Sequence, residues 1–300
     1  MNKAVSPHEI GSSASDRDPE TVDGAPPQDG QPSDVPLLTH RHALWLDFDG
    51  TLVDIAETPE GVQVAPGIVP VLTALHSRLG GALGVITGRP VAQIDQLLAP
   101  LRLDVAGEHG AVLRWADGRT ESPAPPDLHD AIRELQAFVE AHPGLLLERK
   151  GHGLTLHYRG APQWAQACLE LVQRLSRPAV PAAGLAASPD AAKDEGALVV
   201  LHGKSVVELK LAQVDKGRAL HRLMRSPGFA QRVPVFIGDD TTDEAAIAAA
   251  QVLGGIGIKV GPGASVARHR LASPVEVLRY LQASEVVLAR DAAEPGERLG

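Results

Sequence analysis

Cysteine is almost absent from this chain, with Cys168 alone among 300 residues, so no internal disulfide can hold the fold. Cys168 falls in the apolar series Trp164, Cys168, Leu169 and Val172, where a small buried hydrophobe is expected. Aromatics are scarce as well, with four Phe, three Trp and two Tyr; Trp115, Trp164 and Tyr158 are read chiefly as core, although such rings also stack on sugars. No apolar run approaches the length of about eighteen residues that a membrane span needs, and the N-terminus lacks the basic-then-apolar pattern of a secretory signal. A soluble, cytoplasmic protein is expected. Positive charge is in deficit: 28 Lys and Arg stand against 37 Asp and Glu, for a net −9. Much of the excess acid lies in residues 1–38 and 285–300, so the body offers no electrostatic footprint for nucleic acid or an anionic membrane. The expected partner is a small molecule, and a monomer is the simplest assembly.

What is present is an ordinary globular balance, 44% hydrophobic against 22% charged, enough to bury a core. Residues 1–38, rich in Ser, Asp, Pro and Gly, cannot repay the entropy of ordering and are expected to form a disordered tail, as are residues 289–300. Between them, short apolar runs alternate with amphipathic segments, the pattern of βα units on a parallel sheet. Strands are expected at Leu44–Phe48, Ala82–Ile86, Leu103–Ala106, Val233–Ile237 and Gly255–Val260. A helix carries Ile68, Val71, Leu72, Leu75 and Leu79 at the 3.6-residue period, and a second starts at Pro90. From 112 to 213 the rhythm changes to helical patterns interleaved with strands at Leu145–Glu148, Leu154–Tyr158, Ala197–Leu201 and Ser205–Leu209. The reading is an α/β Rossmann-like core, discontinuous over 39–111 and 214–288, interrupted by an α+β insertion.

Four strings at strand ends carry the chemistry. Asp47-Phe48-Asp49-Gly50-Thr51-Leu52 follows an apolar strand, at the carboxyl edge where open α/β sheets bind ligands. Two carboxylates at i and i+2 project to one side, and their repulsion asks for a cation or a shared proton. With Mg²⁺ to cancel the repulsion between two anions, Asp47 can attack phosphorus while Asp49 protonates the leaving oxygen and later deprotonates water. In Val85-Ile86-Thr87-Gly88-Arg89-Pro90, the Thr87 hydroxyl and the free N–H groups at the following helix start suit phosphate. Lys216, in Val214-Asp215-Lys216-Gly217-Arg218, supplies a cation for the nucleophile and the phosphoryl oxygens. Gly238-Asp239-Asp240-Thr241-Thr242-Asp243-Glu244 packs acids at another strand terminus. Asp239 is expected to bind the metal directly, and Asp243 either through water or by orienting Lys216.

These four strings, in this order, resemble the haloacid dehalogenase superfamily of phosphotransferases. The resemblance implies that Asp47 is the nucleophile and Asp49 the acid/base. It also implies that Asp47, the main-chain carbonyl of Asp49 and Asp239 hold Mg²⁺, and that Thr87, Gly88 and Lys216 hold the phosphate. A closer resemblance, over roughly residues 42–282, is to the trehalose-6-phosphate phosphatase family. It rests on Gly238 to Glu244, Gly107-Glu108-His109-Gly110-Ala111, Glu148-Arg149-Lys150, His157-Tyr158-Arg159 and His202-Gly203-Lys204-Ser205-Val206-Val207-Glu208. It implies that Glu108, His109, Arg149, Lys150, Lys204 and Glu208 contact the sugar, and that residues 112–213 form a mobile specificity lid. A neutral, hydroxyl-rich disaccharide calls for such polar groups, and an even separation would set Lys204 and Glu208 on one strand face. The core strings fit other phosphosugars equally well, among them sucrose phosphate, a mannosyl phosphoglycerate and hexose phosphates. A non-catalytic sugar-phosphate sensor is the remaining alternative.

Overall fold

Apolar runs bounded by turn signals become strands buried on both faces when helices cover the sheet. The computed structural model describes residues 35–56, 58, 61–176 and 197–293. The expected tail over 1–34, the Ala/Pro-rich stretch Arg177 to Ala192 and residues 294–300 lie outside the described residues. In chain order come β1 (His42–Leu46), α1 (Ile68–Arg78), β2 (Leu83–Ile86), α2 (Val91–Leu97), β3 (Asp104–Gly107), β4 (Val112–Arg114) and β5 (Thr120–Glu121). The insertion follows with α3 (His129–Ala141), β6 (Leu146–Arg149), β7 (Gly153–His157), α4 (Ala165–Leu175), β8 (Leu198–Gly203) and β9 (Val206–Leu211). The chain then returns with α5 (Lys216–Met224), β10 (Val233–Gly238), α6 (Glu244–Val252), β11 (Ile256–Val260), β12 (His269–Leu271) and α7 (Pro274–Ala293).

The main sheet runs β12-β11-β10-β1-β2-β3-β4-β5, parallel from β12 to β3 and antiparallel over its last two strands. Leu46 pairs with Ile237 on one side and Val85 on the other, so β1, β2 and β10 end at one level. That register brings the residues after them, Asp47, Thr87 and Asp239, to the same edge. Helix α1 packs against α7 and α5 against α6, burying Leu72, Leu75, Leu220 and Ile247 with Trp45 and Phe236 in one core. No helix among the described residues is long and apolar enough to cross a membrane.

Four expectations need correction. Residues 112–121 do not open the insertion: β4 and β5 extend the main sheet, and Leu113 joins its core at 1% exposure. The hairpin covers the edge that β3 would otherwise expose. Residues 35–38 do not belong to a disordered tail, because Val35 and Leu38 are buried, the Leu38 N–H donates to Ser284 Oγ and Tyr280 donates to the Pro36 carbonyl. Helix α7 runs to Ala293, past the expected limit at 288, with Val277, Leu281 and Leu288 repeating at helical spacing on its buried side. Pro90 is the residue before α2, with ψ of 143°, rather than its first helical one.

The insertion has its own antiparallel sheet, β6-β7-β9-β8, and its own core of Leu135, Leu154, Leu156, Cys168, Val172 and Leu209. Burial pushes the Cys168 thiol up to about 11, as expected of an inert small hydrophobe. Lys204 and Ser205 form the tight turn between β8 and β9, with Ser205 at φ 66°. Lys204 is therefore a turn residue, and strand alternation does not explain where its side chain goes.

Candidate active site

The site forms where β1 and β10 end. Asp47 continues the ladder, its N–H donating to the Ile237 carbonyl at 2.9 Å, and its side chain is buried. The chain then turns sharply: the Phe48 carbonyl accepts from the Leu52 N–H, and Gly50 adopts φ +79°. A Cβ at Gly50 would lie 2.3 Å from Asp239 Oδ2, so the missing side chain lets this loop touch the Asp239 carboxylate. Asp243, fully buried, accepts at Oδ2 from the N–H groups of Asp239 (3.0 Å) and Asp240 (2.9 Å). It thus pins the backbone on which Asp239 stands.

Lys216 opens α5, which Asp215 caps by accepting from the Arg218 N–H at 2.8 Å. Its Nζ reaches Asp47 Oδ1 at 2.6 Å and Asp243 Oδ1 at 2.7 Å. Burial opposes its charge, but the two carboxylates prevail and hold Lys216 well above the ordinary lysine range. Burial, seconded by Asp243 and against the pull of Lys216, raises the Asp47 carboxyl well above its usual value. Burial likewise raises Asp239, with Lys204 opposing and Asp243 assisting. Ligand oxygens of Asp47, Asp239 and Asp243 all lie within 4.8 Å of one another. A buried, oxygen-only set of carboxylates crowded this closely is the donor chemistry that a hard divalent cation fits. Asp47 and Asp239 are the better ligands of the three, since both oxygens of Asp243 already accept hydrogen bonds.

Thr87 follows β2, its hydroxyl accepting from the Arg89 N–H at 3.2 Å. Arg89 then crosses to Asp49 and grips it with two bonds of 2.7 Å, Nε to Oδ2 and Nη2 to Oδ1. Gly88 faces His109, whose ring would sit 2.8 Å from a Cβ there. Glu108 and His109 both hold left-handed backbone, at φ 51° and 58°, an uncommon strain for such residues. From the insertion, Glu208 on β9 meets His109 Nε2 at 3.0 Å and Lys150 Nζ at 3.2 Å. Burial would raise the Glu208 carboxyl, but Lys150 and His109 outweigh it and hold it far below the carboxylate range. Lys204 Nζ reaches Asp239 Oδ2 at 2.9 Å.

These groups enclose a cavity of about 210 Å³, with Asp47, Asp49, Thr87 and Asp239 on one wall and Lys150, Lys204 and Glu208 on the other. Residues 45–274 match the family model described as trehalose-phosphatase. The chain belongs to that family. Trehalose-phosphatases are phosphoric monoester hydrolases, and membership places this chain among them. It is 36% identical over 252 residues to the trehalose-6-phosphate phosphatase of Escherichia coli K12, covering 83% of this chain and 89% of that one. A Sinorhizobium fredii protein named "Probable trehalose-phosphate phosphatase" is 41% identical over 221 residues, covering 73% and 78%. The C-terminal domain of the Candida albicans trehalose-6-phosphate phosphatase superposes with a TM-score of 0.68 at 21% identity, covering 85% of this chain and 99% of that one. That likeness shows the fold, which a haloacid dehalogenase-like hydrolase from Bacteroides thetaiotaomicron shares at a TM-score of 0.57.

Not every expected site residue reaches the cavity. Asp47, Asp49, Thr87, Gly88, Lys216 and Asp239 line it, as do His109, Lys150, Lys204 and Glu208. Arg149 does not: it is exposed and donates to Gln136 on α3, because alternation along β6 turns it away from the side that Glu148 and Lys150 share. Glu108 is also turned aside, its Oε2 accepting from the His152 N–H at 2.8 Å and facing His152 Nδ1 at 3.2 Å. Trp115 is core, as expected. Other residues had no role in the sequence reading. Arg89 lay inside a quoted string, yet only the fold brings it to Asp49. His152 ties the insertion to Glu108, and Lys259 donates from β11 to the Asp239 carbonyl; neither stands in a motif that could have revealed it.

Proposed function

We propose that the chain hydrolyses trehalose 6-phosphate to trehalose and inorganic phosphate through an aspartyl-phosphate on Asp47. The observation that carries this reading is the convergence of Asp47, Asp49, Asp239 and Lys216 at one sheet edge, under an insertion that faces them with charged hydrogen-bonding groups. The Asp47 carboxylate attacks phosphorus, and the bond from phosphorus to the sugar oxygen breaks. Asp49 gives that oxygen its proton. Water then attacks the phosphorus of the aspartyl-phosphate, Asp49 takes the water proton, and cleavage of the Asp47 ester releases phosphate and restores the carboxylate. Thr87 and Gly88 bound the phosphate pocket, and Lys216 stabilises charge on the phosphoryl oxygens.

Mg²⁺, held by Asp47, Asp239 and the main-chain carbonyl of Asp49, would supply the positive charge that lets one anion approach another. Residues Lys150, Lys204, His109 and Glu208 provide donors and acceptors for sugar hydroxyls, and an apolar pocket would not. Support for trehalose comes from the family and from the names of the relatives above. The insertion serves as the lid that excludes water.

The test is phosphate release from a panel comprising trehalose 6-phosphate, sucrose phosphate, mannosyl phosphoglycerate and glucose 6-phosphate. The highest kcat/KM is expected for trehalose 6-phosphate. A tenfold preference for another member would overturn the substrate, and binding without any release would favour a sensor.

A further inference from the structure

Two lysines contact the acidic cluster, and they differ in how firmly they are held. Lys216 is sealed in the core with its side chain 3% exposed and touches two carboxylates, Asp47 and Asp243. It cannot leave without stranding both. Lys204 stands at the tip of the β8–β9 hairpin, its side chain 56% exposed, and its ammonium touches one carboxylate, Asp239, at 2.9 Å. Such a half-solvated pair is weak and exchangeable. Asp239, only 6% exposed at its side chain, is at the same time one of the two side chains assigned above to the divalent cation.

Lys204 occupies one oxygen of Asp239 and sets a positive charge beside the place assigned to the divalent ion, so the two repel and compete for that carboxylate. We infer that Lys204 stands in for the divalent cation on Asp239, so that metal binding and release of the β8–β9 hairpin tip are one linked equilibrium. The ion displaces Lys204, and the freed ammonium turns to the cavity that it already lines. Linkage is reciprocal: whatever holds Lys204 on Asp239 weakens metal binding, and metal weakens the hold of the tip. The other polar ties between insertion and core need not break with it. Glu208 on His109, Glu108 on His152, and Arg159 on the Ala56 carbonyl at 3.0 Å all leave Asp239 untouched. The movement is thus local to the tip.

The inference rests on the metal reading above, and substrate-free calorimetry separates the two. Mg²⁺ is titrated into the wild type, Lys204→Met, Lys204→Arg and His152→Ala. Lys204→Met is expected to bind Mg²⁺ about fivefold tighter or more, Lys204→Arg to stay near the wild type, and His152→Ala to match it. Hydrogen exchange gives a second readout: Mg²⁺ should speed exchange at residues 203–206 in the wild type and leave it unchanged in Lys204→Met. Equal or weaker Mg²⁺ binding by Lys204→Met, with wild-type binding intact, overturns the inference and spares the metal reading. An absence of Mg²⁺ binding in every form, with turnover persisting in chelator, overturns both.

Discussion

Lys216 Nζ and Asp47 Oδ1 lie 2.6 Å apart across 169 residues of sequence, in a part of the molecule closed to solvent. Asp47→Asn keeps the shape of the site and leaves Lys216 its bond to Asp243. Turnover of the phosphosugar should fall by on the order of 10⁴-fold or more, with the far-UV spectrum and melting temperature of a folded protein. Undiminished kcat would place the nucleophile elsewhere. Lys216→Met leaves Asp47 and Asp243 buried with no ammonium between them and should cost about 3–5 kcal/mol in urea unfolding.

If the carboxylates need a divalent partner, chelation must reach the chemistry. EDTA should abolish phosphate release and added Mg²⁺ restore it. Full turnover in metal-free buffer would contradict the electrostatics of the site.

Gly50 admits no side chain. With φ +79° and a hypothetical Cβ 2.3 Å from Asp239 Oδ2, Gly50→Ala should destabilise the fold by about 1 kcal/mol or more and raise the Mg²⁺ concentration needed for half-maximal activity. A variant with unchanged stability and metal requirement would show that the loop yields more readily than its contacts suggest.

Arg89 grips both oxygens of Asp49, and a guanidinium alone offers that fork. Arg89→Lys should lower kcat by about 10²-fold through misplacement of Asp49, with a smaller effect on KM. A change confined to KM would make Arg89 a binding group instead.

Acid should weaken the junction of core and insertion. Burial, against the opposing pull of Glu208, lowers the His109 imidazole below its ordinary 6.5. The unfolded chain therefore takes up a proton as pH falls through about 6.5 while the folded one resists, and stability declines with acid. The urea midpoint should drop between pH 7.5 and 5.5, and drop less in His109→Asn, whose side chain tolerates the left-handed backbone. Equal losses in the two proteins would assign the effect to other groups.

The strings at the sheet edge were readable because local rules place them. An apolar strand followed by Asp47-Phe48-Asp49-Gly50 or by Gly238-Asp239-Asp240 puts acids at a sheet edge whatever the rest of the chain does, and the βα rhythm identifies the parallel sheet. Boundaries were less legible where long-range packing decides them. Val35 and Leu38 look like tail until α7 offers them a surface, and residues 112–121 look like insertion until β3 needs a neighbour.

The sequence by itself determined the strand ends that carry Asp47, Thr87 and Asp239 and the crowding of acids there, because periodicity and like-charge repulsion act over a few residues, and the family followed from the resemblance of those strings. Tertiary structure alone decided that Arg89 grips Asp49, that Arg149 faces away from the cavity, that Glu108 serves His152, and that Lys204 rests on Asp239. Those pairings depend on sheet register, strand twist and the seating of one layer on another, which no local pattern encodes.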